Sequence, residues 1–207
     1  MKRLLSYLFI LIIFTSIEST VFGNKAPTKI LFLGDSLTAG YGVSKKMAFP
    51  ALIEKQFNKK SPGRVRVFNG GISGSTTAGG VARLKWYLKR KPDILVLALG
   101  ANDGLRGVNL NASKKNLSLV ILKAKELKIK ILLAGMLLPL NYGKNYRGRF
   151  KKMFIELARE HQLKLVPFLL KGVGGEPKFN IEDGIHPNEE GHKIITKTLT
   201  PYLEDLL

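Results

Sequence analysis

Along most of this chain, short and almost continuously apolar runs alternate with segments whose apolar residues recur at helical spacing. The runs are Lys29–Leu33, Val65–Phe68, Ile94–Leu99, Lys130–Ala134 and Leu163–Pro167. They have strand length, and their lack of polar alternation predicts strands buried on both faces. Between them, Leu117, Val120, Ile121, Ala124 and Leu127 fall on one helical stripe, and Phe150, Met153, Phe154, Leu157 and Ala158 repeat the spacing. Ile194, Ile195, Leu199, Tyr202, Leu203 and Leu206 mark a last helix, with Asn188 as its N-cap and Glu189 and Glu190 in its first turn. Ala48–Asn58 and Thr76–Lys89 are predicted to fill the two remaining gaps as helices. Strand–helix alternation of this kind predicts an α/β fold: a three-layer α/β/α sandwich around a five-stranded parallel sheet. No internal repeat or linker interrupts residues 24–207, so one domain is expected there.

The first residues read differently. Lys2 and Arg3 precede an apolar stretch from Leu4 to Phe14 broken only by Ser6, and Val21 and Gly23 suit the −3 and −1 positions of a cleavage site. A signal peptide over 1–23 is predicted, with export to the periplasm or beyond. The stretch is too short to cross a hydrocarbon core of roughly 30 Å; the alternative is an uncleaved anchor running on to Ile17. The chain has no cysteine, which excludes a lipid-anchored cysteine, disulfides and thiolate metal sites.

Charge adds one feature. Lys and Arg number 34 against 15 Asp and Glu, a formal net charge of +19. The lysines are scattered and read first as solvated helix faces. A field of this sign also attracts anionic lipid surfaces, less so as salt rises. No nucleic-acid motif and no interleaving of basic with aromatic residues is apparent along the chain, so no nucleic-acid partner is expected. A monomer is the expected state.

Four short stretches carry candidate chemistry: Gly34-Asp35-Ser36-Leu37, Gly71-Ile72-Ser73-Gly74, Gly100-Ala101-Asn102-Asp103 and Asp183-Gly184-Ile185-His186-Pro187. The first three follow predicted strands and so emerge at one sheet edge, where open α/β sheets bind ligands. Ser36 is the candidate nucleophile, opening a helix after Gly34 lets the chain turn out of the strand. Its surroundings are not G-x-S-x-G, which excludes the α/β-hydrolase elbow. Of three histidines, His161 reads as a carbonyl cap at a helix end and His192 as a packed or exposed residue of the last helix. His186 is the candidate base, with Asp183 three residues earlier able to reach its Nδ1 proton. The Ser36 N–H, Gly74 N–H and Asn102 amide are candidate oxyanion donors. Asp35 and Asp103 read as loop braces. Each residue has a plainer reading alone: Ser36 as a helix cap, Gly74 as a turn, Asn102 and Asp183 as Asx-turn formers. Their combination supplies what acyl transfer at an ester or thioester needs, without metal or cofactor. The phosphate-binding glycine signatures are missing after the first strand, which disfavours a nucleotide site. A non-catalytic binder of anionic lipid or nucleic acid is the rival suggested by charge.

These blocks resemble the GDSL, or SGNH, hydrolase family over essentially all of 28–207. The resemblance implies a flavodoxin-like sandwich, Ser36, Asp183 and His186 as a triad, and an oxyanion hole of Ser36, Gly74 and Asn102. Gly34–Tyr41, Gly100–Gly107, Leu138–Gly143 and Asp183–Asn188 are similar to the exported bacterial thioesterase/lysophospholipase/arylesterase group. That similarity implies a mobile loop at Gly104–Asn109 beside an acyl groove, with Gly104, Leu105 and Arg106 binding substrate and Leu138 and Pro139 lining the groove. Hydrolysis of acyl esters and thioesters is therefore expected; the alternative is a carbohydrate acetylesterase acting on envelope polysaccharide. Ser75, where that group carries an acidic residue, and the strong positive charge are departures from the group.

Overall fold

The computed structural model describes residues 26–207; the expected signal peptide lies outside them. Five strands form one sheet: β1 (Thr28–Gly34), β2 (Val65–Gly71), β3 (Ile94–Ala98), β4 (Lys130–Ala134) and β5 (Lys164–Val166). Their order is β2-β1-β3-β4-β5 and every pairing is parallel. The central strands are buried throughout, from Ile30 to Leu33 and from Ile94 to Leu97. This accounts for their unbroken apolar sequence, since helices cover both faces. Each fully buried Leu, Ile or Phe contributes roughly 1.5–3 kcal/mol relative to exposure.

Seven helices complete the sandwich: α1 (Ser36–Ala39), α2 (Phe49–Lys60), α3 (Gly80–Tyr87), α4 (Ala101–Leu105), α5 (Leu110–Glu126), α6 (Lys144–Glu160) and α7 (Glu189–Glu204). Helix α2 packs with α7, while α5 packs with both α3 and α6. The predicted stripes of α5 and α6 are the buried ones, except that Leu127 is exposed and lies just past the end of α5. In the last stripe Ile195, Leu199 and Leu203 are buried, while Ile194, Tyr202 and Leu206 are partly so. Asn188 caps α7 as expected, accepting from the Gly191 N–H at 3.1 Å. Among the described residues no helix is long and apolar enough to cross a membrane.

Three local expectations are corrected. The single helix predicted over Thr76–Lys89 is divided into a 3₁₀ turn at Thr77–Gly79, then α3, then a second 3₁₀ turn at Leu88–Arg90. Gly79 and Gly80 are poor helix formers, and the Thr77 N–H is taken by Asp103, 2.9 Å away. Helix α4 has no sequence signature, because five residues are too few to express a period. Gly34 does not serve as a turn residue. A Cβ there would lie 1.9 Å from Thr38 Oγ1, and one on Gly71 would lie 2.2 Å from the Ala39 nitrogen. Both glycines allow α1 to sit directly on the ends of β1 and β2.

In the order 2-1-3-4-5, the chain leaves β1 toward one side and β3 toward the other. The crevice for ligands opens between the C-terminal ends of those two strands. Ser36 follows β1 and Asn102 follows β3.

Candidate active site

The shortness of α1 follows from its two ends. Asp35 is its N-cap, accepting from the Leu37 N–H at 3.1 Å, and Gly40 ends it in a left-handed conformation at φ 80°. Ser36 is thereby held at the first helical position. Its backbone N–H points out of the helix start and donates to no other group among the described residues. Below it, the Arg83 guanidinium donates through Nη2 to the carbonyls of Gly34, at 2.7 Å, and of Gly70. One cation thus gathers the ends of β1 and β2 under the serine.

Opposite, a long segment after β5 folds into a small hairpin. Asn180 and Pro187 form an antiparallel bridge, and the Ile181 N–H donates to the His186 carbonyl at 2.8 Å. Buried Asn180 anchors the hairpin through Nδ2, donating to the carbonyls of Val173 and Glu176, both at 2.8 Å. The Asp183 carboxylate then divides its work. Oδ1 accepts from the Ile185 and His186 N–H groups, each at 3.0 Å, while Oδ2 lies 2.6 Å from His186 Nδ1. One oxygen thus closes an Asx turn and the other meets the imidazole. Partial burial pulls the Asp183 carboxyl upward, but the two N–H donors and the imidazole outweigh it and hold it below the usual range. His186 Nε2 lies 2.9 Å from Ser36 Oγ, and the exposed Tyr41 ring packs against the imidazole at a centroid distance of 4.7 Å.

The loop after β2 is tied to both partners. The Ile72 N–H donates to the Gly34 carbonyl at 3.2 Å, and Asn102 Nδ2 donates to the Ser75 carbonyl at 3.1 Å. The second bond orients the Asn102 amide and leaves its other N–H uncommitted. It also assigns position 75 a backbone role, which any side chain allows. Gly74 sits between these ties at φ +74°, a conformation costly for residues with a Cβ, and its N–H has no acceptor among the described residues. Behind the loop, buried Asp103 receives the Thr77 N–H, the Thr77 hydroxyl at 2.6 Å and the Ser113 hydroxyl at 3.0 Å.

Ser36, Asn102 and His186 line a cleft of about 550 Å³ whose walls are mostly apolar: Leu37, Leu105, Met136 to Leu140, Phe168, Leu170 and Ile185. Leu138 and Pro139 are in this wall, as the resemblance implied, and Leu105 with them. Gly104 and Arg106 are not. A Cβ on Gly104 would lie 2.6 Å from Phe150 and 2.8 Å from Leu138, so this glycine is a packing position behind the wall. An Arg106 guanidinium nitrogen instead lies 3.4 Å from where a Gly74 Cβ would be. Nor is the Gly104–Asn109 loop free: the Tyr142 hydroxyl donates to the Leu105 carbonyl at 3.0 Å, and the Tyr146 hydroxyl reaches those of Gly104 and Val108 at 3.3 and 3.4 Å. These ties anchor the segment that the resemblance implied to be mobile.

With this geometry in view, similarity to known proteins is specific. A family model described as GDSL-like Lipase/Acylhydrolase family matches residues 32–194. Esterase TesA of Pseudomonas aeruginosa is 38% identical over 183 residues, covering 88% of this chain and 90% of that protein. Thioesterase 1/protease 1/lysophospholipase L1 of Escherichia coli K12 is 35% identical over 187 residues, 90% of this chain and 88% of that one. The crystal structure of TesA superposes with a TM-score of 0.83 at 38% identity, covering 86% of this chain and 99% of its own. The chain belongs to the GDSL-like lipase/acylhydrolase family.

The other two histidines of this hydrolase have structural places. His192 is fully buried; its Nδ1 accepts the Phe49 N–H, an unpaired donor at the start of α2, at 3.2 Å. Burial lowers the His192 pKa to about 4, so it stays neutral. His161 is not the carbonyl cap expected. Its Nε2 meets the Ser118 hydroxyl at 2.8 Å, while its own carbonyl is capped by Lys125 Nζ at 2.6 Å. Asp35 and Asp103 brace loops as expected. Asp35 differs in that its Oδ2 is buried without a partner, and burial raises its pKa to about 6 against the pull of the Leu37 N–H, His186 and Arg83. Arg83 and Asn180 drew no attention in the sequence, because neither lies in a recognisable block; the contacts of Arg83 are long-range, and those of Asn180 are made within an irregular segment.

Proposed function

We propose that this hydrolase cleaves carboxylic esters and thioesters of acyl chains through a Ser36–His186–Asp183 triad. The observation carrying the reading is the unbroken line from Ser36 Oγ to Nε2 at 2.9 Å and from Nδ1 to Asp183 at 2.6 Å. As Ser36 Oγ attacks the carbonyl carbon, His186 Nε2 takes its proton, and Asp183 stabilises the imidazolium. The carbonyl oxygen becomes an oxyanion held by the Ser36 N–H, the Gly74 N–H and the free Asn102 amide N–H. His186 then gives its proton to the departing alcohol or thiol, leaving an acyl-enzyme on Ser36. Water, deprotonated by His186, attacks that ester; collapse returns the proton to Ser36 and frees the acid. None of these steps calls for a metal or cofactor.

The relatives' names, an esterase and a thioesterase/lysophospholipase, support this substrate class. The apolar cleft favours acyl chains over sugar acetates, because an acetyl group would leave most of the wall from Met136 to Leu140 unused. Export through a signal peptide over residues 1–23 and a monomeric state belong to the same reading. The test is Ser36→Ala, assayed on p-nitrophenyl esters from acetyl to long acyl. The variant should fold normally and lose turnover; wild-type turnover would refute the nucleophile. Acetyl-only activity of the wild type would favour the carbohydrate esterase instead.

A further inference from the structure

From Lys55 to Pro92 the chain carries ten lysines and arginines and not one aspartate or glutamate. The two carboxylates flanking this stretch are both engaged: Glu54 accepts the Val67 N–H at 3.1 Å and Asp93 accepts the Lys29 N–H at 2.7 Å. The fold gathers part of the stretch onto one edge. Strand β2 is an outer strand of the sheet, and its Arg66 and Phe68 share a face with α3 and the 3₁₀ turn after it. There Arg66 and Arg90 lie over the Phe68 ring at 5.7 and 5.6 Å, Lys89 Nζ lies 3.9 Å from the Trp86 centroid, and Tyr87 packs edge-on against Trp86. Trp86 is 55% exposed. Basic and aromatic side chains of the strand, the helix and the turn after it thus interleave on this edge.

The geometry points to this edge as a docking surface for membranes of anionic phospholipid. This deepens the proposed function, on which the choice of a lipid partly rests: a surface-docked enzyme meets acyl substrates where they concentrate. Charge complementarity argues for anionic headgroups, and indole, phenol and guanidinium groups suit the headgroup level of a bilayer. Two observations disfavour other partners. The faces of Phe68 and Trp86 carry the protein's own cations, which obstructs stacking of nucleic-acid bases. Along β2, the N–H groups of Val65 and Val67 are bonded by Asn58 and Glu54, which blunts addition of a partner strand.

Trp86 is the chain's single tryptophan, so its fluorescence reports docking directly. Wild-type protein is titrated with phosphatidylcholine vesicles, with vesicles that also contain phosphatidylglycerol, and with a single-stranded oligonucleotide. A blue shift confined to phosphatidylglycerol and reversed by salt is expected. Lys89→Gln with Arg90→Gln should weaken that binding about 25-fold, roughly fivefold per charge, whereas Lys151→Gln with Lys197→Gln on distant exposed helix faces should change it less than about twofold. Absence of the shift, an equal shift on pure phosphatidylcholine, equal losses in both pairs, or tighter binding to the oligonucleotide would overturn the proposal. Turnover of a soluble p-nitrophenyl ester, measured alongside, should be unchanged in both pairs. Vesicle binding by a wild type without esterase activity would uphold docking and sink the catalytic reading.

Discussion

Asp35→Asn isolates the electrostatic cost of a buried carboxylate beside Ser36. The asparagine can still accept the Leu37 N–H through Oδ1, and it removes the charge from an oxygen with no partner. Burial raises the Asp35 pKa from 3.8 to about 6, a net result that already includes attraction to His186 and Arg83. Between those values the folded state holds a proton that the unfolded state has lost, so stability falls as pH rises and the full penalty stands above about pH 6. A rise of about 2 in the pKa corresponds to a penalty of about 3 kcal/mol at about pH 8 that has nearly vanished at about pH 4. The stability of the Asp35→Asn variant minus that of the wild type should therefore move by roughly 2–3 kcal/mol in the variant's favour over that range. Near the melting point this amounts to roughly 5–10 °C for a domain of this size. The buried amide N–H introduces a cost of roughly 1–3 kcal/mol of its own, but that cost does not vary with pH and cancels in the comparison. Urea unfolding of both proteins across the range measures the difference. A gap independent of pH would refute the assignment of Asp35 as a buried group that stays protonated to unusually high pH.

Two further substitutions address the site. Asn102→Ala should lower kcat about 10²–10³-fold on p-nitrophenyl butyrate with little change in KM, as loss of one oxyanion donor does; a fall confined to KM would move Asn102 from transition-state stabilisation to substrate binding. Leu138→Trp fills the apolar wall, and the kcat/KM ratio of octanoyl over acetyl ester should fall about tenfold or more; an unchanged chain-length profile would take the acyl chain out of this cleft.

Much of the architecture was legible because the central strands are buried on both faces and each long helix exposes a polar side. Both conditions write themselves into local apolar patterns. The four blocks were legible for a related reason: three of them occupy the turns directly after strands, where topology alone brings them together. What escaped depends on side-chain contacts to carbonyls that follow no period. Arg83 acts on carbonyls at positions 34 and 70, and Asn180 on carbonyls within the hairpin segment, so neither has a spacing to recognise. Gly104 and Arg106 are the converse case. They sit within a block resembling a substrate loop, yet one packs against Phe150 and the other lies beside Gly74. A block fixes the backbone path more firmly than it fixes which of its side chains face the cleft.

The placement of two carboxylates around one imidazole gives the site its electrostatic logic. Asp183 acts by contact: it donates no flexibility to the pair, since its other oxygen is spent holding the turn that carries His186. Asp35 acts through space, from beside Ser36, with no direct bond to the ring. Its charge is destabilising to the fold above about pH 6, yet it is attracted to His186 and Arg83. In the proposed reaction, proton transfer from Ser36 creates a positive imidazolium and a negative oxyanion, so the field of Asp35 would favour the first and oppose the second. Arg83, close by and itself partly buried, offsets that opposition. Neutralising Asp35 thus removes stabilisation from one product of the transfer and repulsion from the other, so its effect on stability exceeds its effect on turnover. A carboxylate kept for its Oδ1 cap and tolerated for its charge is the simplest account of a buried oxygen left without a partner.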